Sequence, residues 1–196
     1  MKNYAVTIAR EYGSGGRLIG RELARELGCS FYDKEIISLA AKESGLHEEF
    51  IETMENRRVS GFLYNLYMTY HELPIPEQVF IAQSKVIKDT ADKESCVIIG
   101  RCADYVLAER KNCVKIFIHA PLELRITIVR DRYHEGSGEL SGFIRKQDKD
   151  RASYYSFFTH QKWGRAQNYN ICLDSSIGIE ASVTLLKKFV EEFTKR

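Results

Sequence analysis

The sequence is poor in the residues that mark disulfide-stabilised and metal-binding proteins. Its 196 residues include five cysteines and five histidines, and no two cysteines have the C-x-x-C spacing of zinc and redox motifs. The cysteine number is odd, which does not suit a framework of intrachain disulfides. The histidines show neither metal-ligand spacing nor a nearby serine or cysteine that would indicate a catalytic triad. We therefore expect no protein metal centre, no acyl-transfer site, and a reducing, cytoplasmic environment, with Cys96, Cys113 and Cys172 buried in apolar runs.

Long apolar runs and an excess of one charge are also missing. No run approaches the roughly 20 residues that cross a bilayer, and the N-terminus lacks the apolar segment of a signal peptide. The 29 basic and 27 acidic residues give a net charge of +2, too small for the basic surface of a nucleic-acid-binding protein. A hydrophobic content of 44% is ordinary for a folded protein. We expect one globular domain that binds neither membranes nor nucleic acid.

A cluster of glycines near the N-terminus separates a strand-like run from a helix-like run. Residues 4–9 are mostly apolar, and residues 18–27 carry apolar side chains at helical spacing, with Gly28 as a C-terminal stop. A strand, a glycine-rich turn and a helix form the frame in which backbone N–H groups and a helix N-terminus bind phosphate. The residues expected to contact phosphate are Gly13, Ser14, Gly15, Gly16 and Arg17. The alternative interpretation is a tight turn without a ligand.

This turn lacks the lysine of the usual phosphate-binding loop. In the pattern G-x-x-x-x-G-K, a lysine follows the second glycine, and a nucleotide-kinase loop adds a metal-binding hydroxyl shortly after it. Here Gly16 occupies the lysine position, and Leu18 occupies the position of the hydroxyl. We expect Arg17, one residue later, to replace the lysine. In the competing interpretation Arg17 points to solvent, and Arg10 or a lid arginine neutralises the phosphates.

The remainder of the chain alternates between short apolar runs and helix-period segments. Predicted strands cover residues 29–33, 96–100, 113–119 and 170–174, and predicted helices cover residues 34–44, 47–58, 60–71, 77–93, 101–110, 121–134 and 178–194. Buried strands that alternate with helices indicate a parallel sheet covered on both faces. The aromatic run at 154–163 is expected to pack a helix on the body or on a second subunit, which leaves a homo-oligomer open. Its alternative is stacking on nucleobases.

Five segments, in order along nearly the whole chain, resemble the cytidylate kinase-like family of nucleoside monophosphate kinases. They are IAREYGSGGR at 8–17, FYDKEII at 31–37, IIGRCAD at 98–104, IFIHAPLELR at 116–125 and DKDR at 148–151. The resemblance implies an α/β, three-layer P-loop kinase fold with a five-stranded parallel sheet. The implied organisation is a single domain with a core at 1–33, 94–130 and 169–196, a helical insertion of the monophosphate-binding type at 34–93, and a mobile lid at 131–168.

The same resemblance implies an ATP-dependent kinase that phosphorylates a nucleoside monophosphate, cytidylate-like, or a related small metabolite, with Mg²⁺ brought in by the nucleotide. The residues that would hold the acceptor are Asp33, Lys34 and Arg101. The residues that would surround the transferring phosphoryl group are Arg17, Arg125, Arg130, Asp148 and Arg151. For each charged residue the alternative is a solvated surface charge or a helix salt bridge.

Two other classes of protein stay open at this stage. One is a non-catalytic nucleotide-binding or regulatory module on the same fold, which the missing lysine and hydroxyl would suit. The other is a helix-mediated interaction protein whose loop holds no ligand. Lys34 and Glu35 stand where cytidylate kinases have serine and glycine after the aspartate, so the residues do not single out cytidine as the acceptor base.

Overall fold

The computed structural model describes residues 3–44, 75–133 and 139–195. The strands are β1 Ala5–Arg10, β2 Ser30–Tyr32, β3 Cys96–Ile99, β4 Cys113–His119 and β5 Ile171–Asp174. The helices are α1 Gly16–Leu27, α2 Glu35–Ser44, α3 Ile75–Lys93, α4 Ala103–Val106, α5 Leu122–Ile128, α6 Leu140–Thr159 and α7 Ile179–Thr194. A π-helical segment, Val129–Tyr133, continues α5, and short 3₁₀ turns, Ala166–Asn168 and Ser175–Ile177, flank β5. The predicted helices at 47–58 and 60–71 lie outside the described residues.

The described strands form one parallel sheet in the order β2-β3-β1-β4-β5. β1 is the central strand, and its Ala5 pairs with Cys96 on one side and with Cys113 on the other. Central parallel strands are covered by helices on both faces, which explains why they read as continuous apolar runs. The parallel sheet predicted from these runs is confirmed.

Alternate residues of each central strand face two separate cores. Cys96 and Ile98 of β3 point into a core beneath α2, α3 and α4, whereas Val97 and Ile99 point into a core beneath α1 and α7. The larger buried side chains that the helices contribute are Ile36, Ile87, Ile19, Leu23 and Leu186. The sheet and the helix layer on each of its faces confirm the three-layer α/β fold.

Two of the predicted helices are shorter than their apolar spacing indicated. The helix predicted at 101–110 covers only Ala103–Val106. It cannot begin before Ala103 because Arg101 and Cys102 both have a left-handed φ of 53°. The helix predicted at 121–134 changes to π-helical geometry after Ile128. Both departures lie at the carboxyl edge of the sheet, where the chain turns around the glycine loop.

The predicted burial of Cys172 is wrong, whereas that of Cys96 and Cys113 is confirmed. β5 is the edge strand of the sheet, and its alternation places Leu173 in the core and Cys172 on the exposed side. An apolar run at a sheet edge therefore has one uncovered face that the sequence pattern does not reveal.

Helix α6 forms from a segment whose sequence gave little indication of regular structure. Its aromatic face packs on the body of the protein: Phe158 stacks on Phe80 of α3 with ring centroids 4.3 Å apart, and Tyr155 is buried. Part of the aromatic run therefore packs on the body of the protein. Among the helices in the described part of the chain, none is long and apolar enough to span a bilayer.

Candidate active site

The glycine loop joins the end of β1 to the start of α1. Gly13 and Gly15 have left-handed φ angles of 78° and 74°, which glycine adopts without the strain that a side chain would cause. Ser14 between them is buried, and its hydroxyl donates a hydrogen bond of 2.9 Å to the carbonyl oxygen of Glu11. The loop ends at the N-terminus of a 12-residue helix, where free N–H groups and the helix dipole favour an anion. This geometry fits the phosphate cradle predicted for these residues.

A buried ion pair ties the helices that follow β4 to the glycine loop. Arg125 of α5 places Nη1 2.5 Å from Asp148 Oδ2 of α6 and 3.3 Å from the carbonyl oxygen of Tyr12. The other carboxylate oxygen of Asp148 accepts a 2.7 Å hydrogen bond from the Tyr12 N–H. Asp148 therefore orients Arg125 and also holds the loop backbone; its role at a transferring phosphoryl group stays a prediction.

Arg151, one turn further along α6, also contacts the loop. Its Nη1 donates a 3.1 Å hydrogen bond to the carbonyl oxygen of Arg10, and its Cζ lies 5.0 Å from the centre of the Tyr12 ring. Burial lowers the pKa of Arg151, and the nearby Asp148 carboxylate opposes that shift. A guanidinium stays charged near neutral pH even so. Arg151 is therefore a partly desolvated cation beside the loop.

On the other side of β1, Asp33 bridges two arginines at the end of β2. Arg17 Nε lies 2.5 Å from Asp33 Oδ2, and Arg101 Nη1 lies 3.6 Å from Asp33 Oδ1. The side chains of Asp33 and Arg101 are 8% and 9% exposed, whereas that of Arg17 is 47% exposed. The Arg17 side chain thus extends toward β2. Its role as a substitute for the loop lysine stays a prediction.

Besides Arg17, two of the predicted site residues lie on the surface. Arg130 is in the π-helical segment with its side chain 63% exposed, and its Nε pairs with Asp131 Oδ1 at 2.7 Å. Lys34 is exposed directly before α2. Arg130 shares a continuous helical segment with Arg125, but one side chain is exposed and the other is buried. The roles assigned to Arg130 and Lys34 stay predictions.

A pocket of about 170 Å³ lies beside the loop, between the ends of β1 and β3 and helix α6. Its charged lining residues are Arg10, Arg101, Asp104, Asp150 and Arg151, and its aromatic lining residues are Tyr154, Tyr155 and Trp163. Sequence reasoning found Arg101 and Arg151 but assigned no site role to Asp104 or to Tyr155. The signal available in the sequence was the position of Asp104, three residues after the arginine that follows a buried strand and its glycine.

Asp104 is a buried carboxylate in the wall of this pocket. Asp104 is 5% exposed, and its Oδ2 accepts a 2.7 Å hydrogen bond from the Tyr155 hydroxyl. Burial raises the pKa of Asp104, although the hydrogen bond from Tyr155 opposes the shift. Burial, together with the charge of Asp104, also raises the pKa of Tyr155. The pair therefore joins α4 to α6 at the cost of holding a charge away from water.

We expect Asp104→Asn to change how stability depends on pH. Because the folded-state pKa of Asp104 is raised, its contribution to stability is fully present below the unfolded pKa of about 4 and is lost as pH rises through the folded pKa. An asparagine still accepts from Tyr155 and carries no charge. The free energy of unfolding of the variant, relative to the wild type, should increase as pH rises from about 4 toward 7. Urea denaturation at a series of pH values measures this, and a difference independent of pH would contradict it.

Within the described part of the chain, the side chains near the loop do not form a dedicated metal site. Over residues 3–44, 75–133 and 139–195, no three acidic, histidine or cysteine side chains are grouped to hold a metal ion. Mg²⁺ commonly retains several waters and binds through substrate phosphates with one or two carboxylates. A magnesium ion at this site would therefore depend chiefly on the phosphates of a bound nucleotide.

A parallel sheet with a glycine-rich loop after its central strand, and arginines gathered at the same edge, defines the class of P-loop kinase folds. A model of the cytidylate kinase-like family matches residues 5–177. The chain belongs to this family. A comparison with curated protein sequences gives no match.

Solved structures of low sequence identity share the fold. An uncharacterized protein from Eubacterium ventriosum has a TM-score of 0.74 at 24% identity, over 96% of this chain and 99% of that chain. A gluconokinase from Sinorhizobium meliloti has a TM-score of 0.59 at 10% identity, over 99% and 95%. A shikimate kinase from Bacteroides thetaiotaomicron has a TM-score of 0.56 at 16% identity, over 96% and 98%. These likenesses show the fold alone.

Proposed function

We propose that this protein is an ATP-dependent phosphotransferase that acts on a nucleoside monophosphate or a related small anionic metabolite. One observation carries the proposal: the glycine loop adjoins a pocket lined by Arg10, Arg101 and Arg151. Phosphoryl transfer needs two substrates in line and cations around the transferring group, and it needs little other chemistry from the protein. A phosphate cradle beside an arginine-lined pocket supports that arrangement.

The donor nucleotide belongs in the glycine loop. Backbone N–H groups of residues 13–16 would bind the donor phosphates at the N-terminus of α1. Mg²⁺, when bound with ATP, neutralises part of the phosphate charge. The Ser14 hydroxyl donates to the Glu11 carbonyl oxygen, so this side chain stabilises the loop conformation.

The acceptor belongs in the pocket beyond the loop. Arg101, with its side chain 9% exposed and paired with Asp33, would hold the anionic group of the acceptor, and Lys34 directly follows Asp33 in the chain. The Arg125–Asp148 pair and Arg151 would close the donor side. Arg130 would join them only if its pair with Asp131 opens. The nucleotides are the expected partners, in the cytoplasm.

A phosphotransfer panel tests the proposal. The protein is incubated with Mg²⁺ and ATP and, separately, with nucleoside monophosphates, hydroxy acids and sugars, and the ADP and the phosphorylated product are both measured. We expect one acceptor class to give equimolar ADP and product, and Arg101→Met to raise the KM for that acceptor more than the KM for ATP. ATP binding without transfer to any acceptor would contradict the proposal. It would favour a regulatory nucleotide-binding module, because Gly16 and Leu18 stand where a catalytic loop has its lysine and its metal-binding hydroxyl.

A further inference from the structure

Compared with the usual phosphate-binding loop, this loop has a cation where a glycine is usual at its start, and a glycine where a lysine is usual at its end. In the pattern G-x-x-x-x-G-K, a glycine stands first and a lysine stands six residues later. In this chain Arg10 stands at the first position, Gly15 keeps the second glycine, and Gly16 stands at the position of the lysine. A cation and a glycine have therefore changed places.

Contacts in the structure link the two exchanged positions. Gly16 starts α1 and is not among the glycines with a positive φ, so its backbone conformation does not require glycine. A Cβ atom at position 16 would lie 2.7 Å from Cβ and 3.1 Å from Cγ of Arg10, which is closer than packed side chains allow. Positions 10 and 16 cannot both carry side chains without movement. Glycine at position 16 leaves the room that the stem of Arg10 occupies.

The other end of the Arg10 side chain reaches the arginine-lined pocket. A Cβ atom at Gly100, the residue after β3, would overlap with Nη1 of Arg10, so the guanidinium lies directly over that glycine. Arg10 thus spans from the glycine loop to the residue next to Arg101. Its carbonyl oxygen accepts the hydrogen bond from Arg151, so the backbone of Arg10 is anchored by the lid helix.

We infer that Arg10 is the cation that binds the transferring phosphoryl group, in place of the loop lysine, and that Gly16 is glycine to make room for it. Gly100 has a left-handed φ of 71°, so its backbone favours glycine independently of Arg10. The inference rests on the proposed phosphotransfer. A guanidinium grips two phosphate oxygens at once and stays charged, so it compensates the charge that spreads over the transferring group. Arg10 takes part in no covalent step. Arg17, whose Nε pairs with Asp33, is the competing candidate.

The first test compares arginine removals by calorimetric titration of ATP and of ADP, each with Mg²⁺ and without acceptor. Arg10→Met should weaken ATP binding about tenfold or more, as expected for one charge-assisted contact, and should weaken ADP binding less. Its kcat on an acceptor found by the panel should fall by roughly 100-fold. Arg25→Met, on the exposed side of α1 with its side chain 72% exposed, is the control and should change none of these three quantities.

The second test restores the usual order of residues. Gly16→Lys alone should lose ATP affinity, because the new side chain meets the stem of Arg10. The double variant Arg10→Gly with Gly16→Lys writes the sequence GEYGSGK and should recover most of that loss. The double variant is compared with Gly16→Lys, so the result does not depend on whether Arg10→Met melts at a lower temperature than the wild type.

Three results would overturn the inference. The first is equal ATP affinity and turnover in Arg10→Met and in the wild type. The second is a loss of ATP affinity and turnover in Arg17→Met but not in Arg10→Met. A double variant no better than Gly16→Lys alone is the third. None of these touches the proposed phosphotransfer, which fails separately if the panel shows no product. A wild-type protein that binds no ATP would remove both.

Discussion

Replacing Gly15 with valine should abolish ATP binding while the chain stays folded. Gly15 has a φ of 74°, a conformation that a β-branched residue adopts only with strain of about 1–2 kcal/mol or more. The nearest atoms to a Cβ at this position are Ile128 Cδ1 at 3.9 Å and Ile179 Cγ1 at 4.0 Å, so the core has room for it. The change therefore acts on the loop itself, by turning its N–H groups and by covering them.

Gly28 provides a matched control at the other end of the same helix. Its φ is 63°, and nothing lies within 4 Å of a Cβ built on it, so Gly28→Val imposes a similar backbone strain far from the loop. Both variants should lose comparable free energy of unfolding in urea. Only Gly15→Val should lose the heat of ATP binding in calorimetry. Equal ATP affinity in the two variants would mean that the loop does not bind phosphate.

The second large effect is expected from Asp148→Asn. The amide keeps the shape of the side chain but cannot accept from both the Tyr12 N–H and the Arg125 guanidinium. The side chain of Arg125 is 8% exposed. In the variant its nearby negative charge would be Glu11, whose Oε2 lies 3.6 Å from Arg125 Nη1. Removing one partner of a buried pair destabilises a protein by about 3 kcal/mol. We expect a loss of this size in the free energy of unfolding, with faster amide exchange at Tyr12.

Two further variants distinguish the buried pair from an ordinary salt bridge. Asp131→Asn breaks the exposed pair with Arg130 and should cost under about 1 kcal/mol. Arg125→Met combined with Asp148→Asn should be less destabilised than the two single changes added together, because no buried charge is then left without a partner. A loss below about 1 kcal/mol for Asp148→Asn would show that water reaches Arg125 and that the pair does not anchor helix α6.

The fold could be predicted from the sequence because its central strands are buried on both faces. All five described strands coincide with strand-like runs predicted from the sequence, and the ends predicted for Cys113–His119 match the structure. Element ends were less predictable where the backbone turns sharply, as at Arg101 and Cys102. Helix α6 carries a weak apolar periodicity, because one of its faces binds the loop through charged groups rather than through apolar contacts.

The candidate site was only partly predictable, for a physical reason. Arg101, Asp148 and Arg151 stand in segments that resemble a known family, and the structure brings their side chains to the loop or its pocket. The contact between Arg10 and Gly16 depends on the direction in which one side chain leaves the end of a strand, and no local pattern encodes that direction. The Asp104–Tyr155 hydrogen bond joins residues 51 positions apart, and only the packing of α6 reveals it.

The central place of β1 in the sheet has a consequence for the order in which the protein folds. β1 is synthesised first, but Ala5 pairs with Cys96 and Cys113, which follow it by 91 and 108 positions. Closing such long loops is entropically unfavourable, and sheets with distant pairings form slowly. The glycine loop therefore leaves the ribosome early and gains its shape only after β4 has emerged. Until then a nascent chain has the residues of the glycine loop but not its folded shape, so any ligand of the loop can stabilise the protein only late in folding.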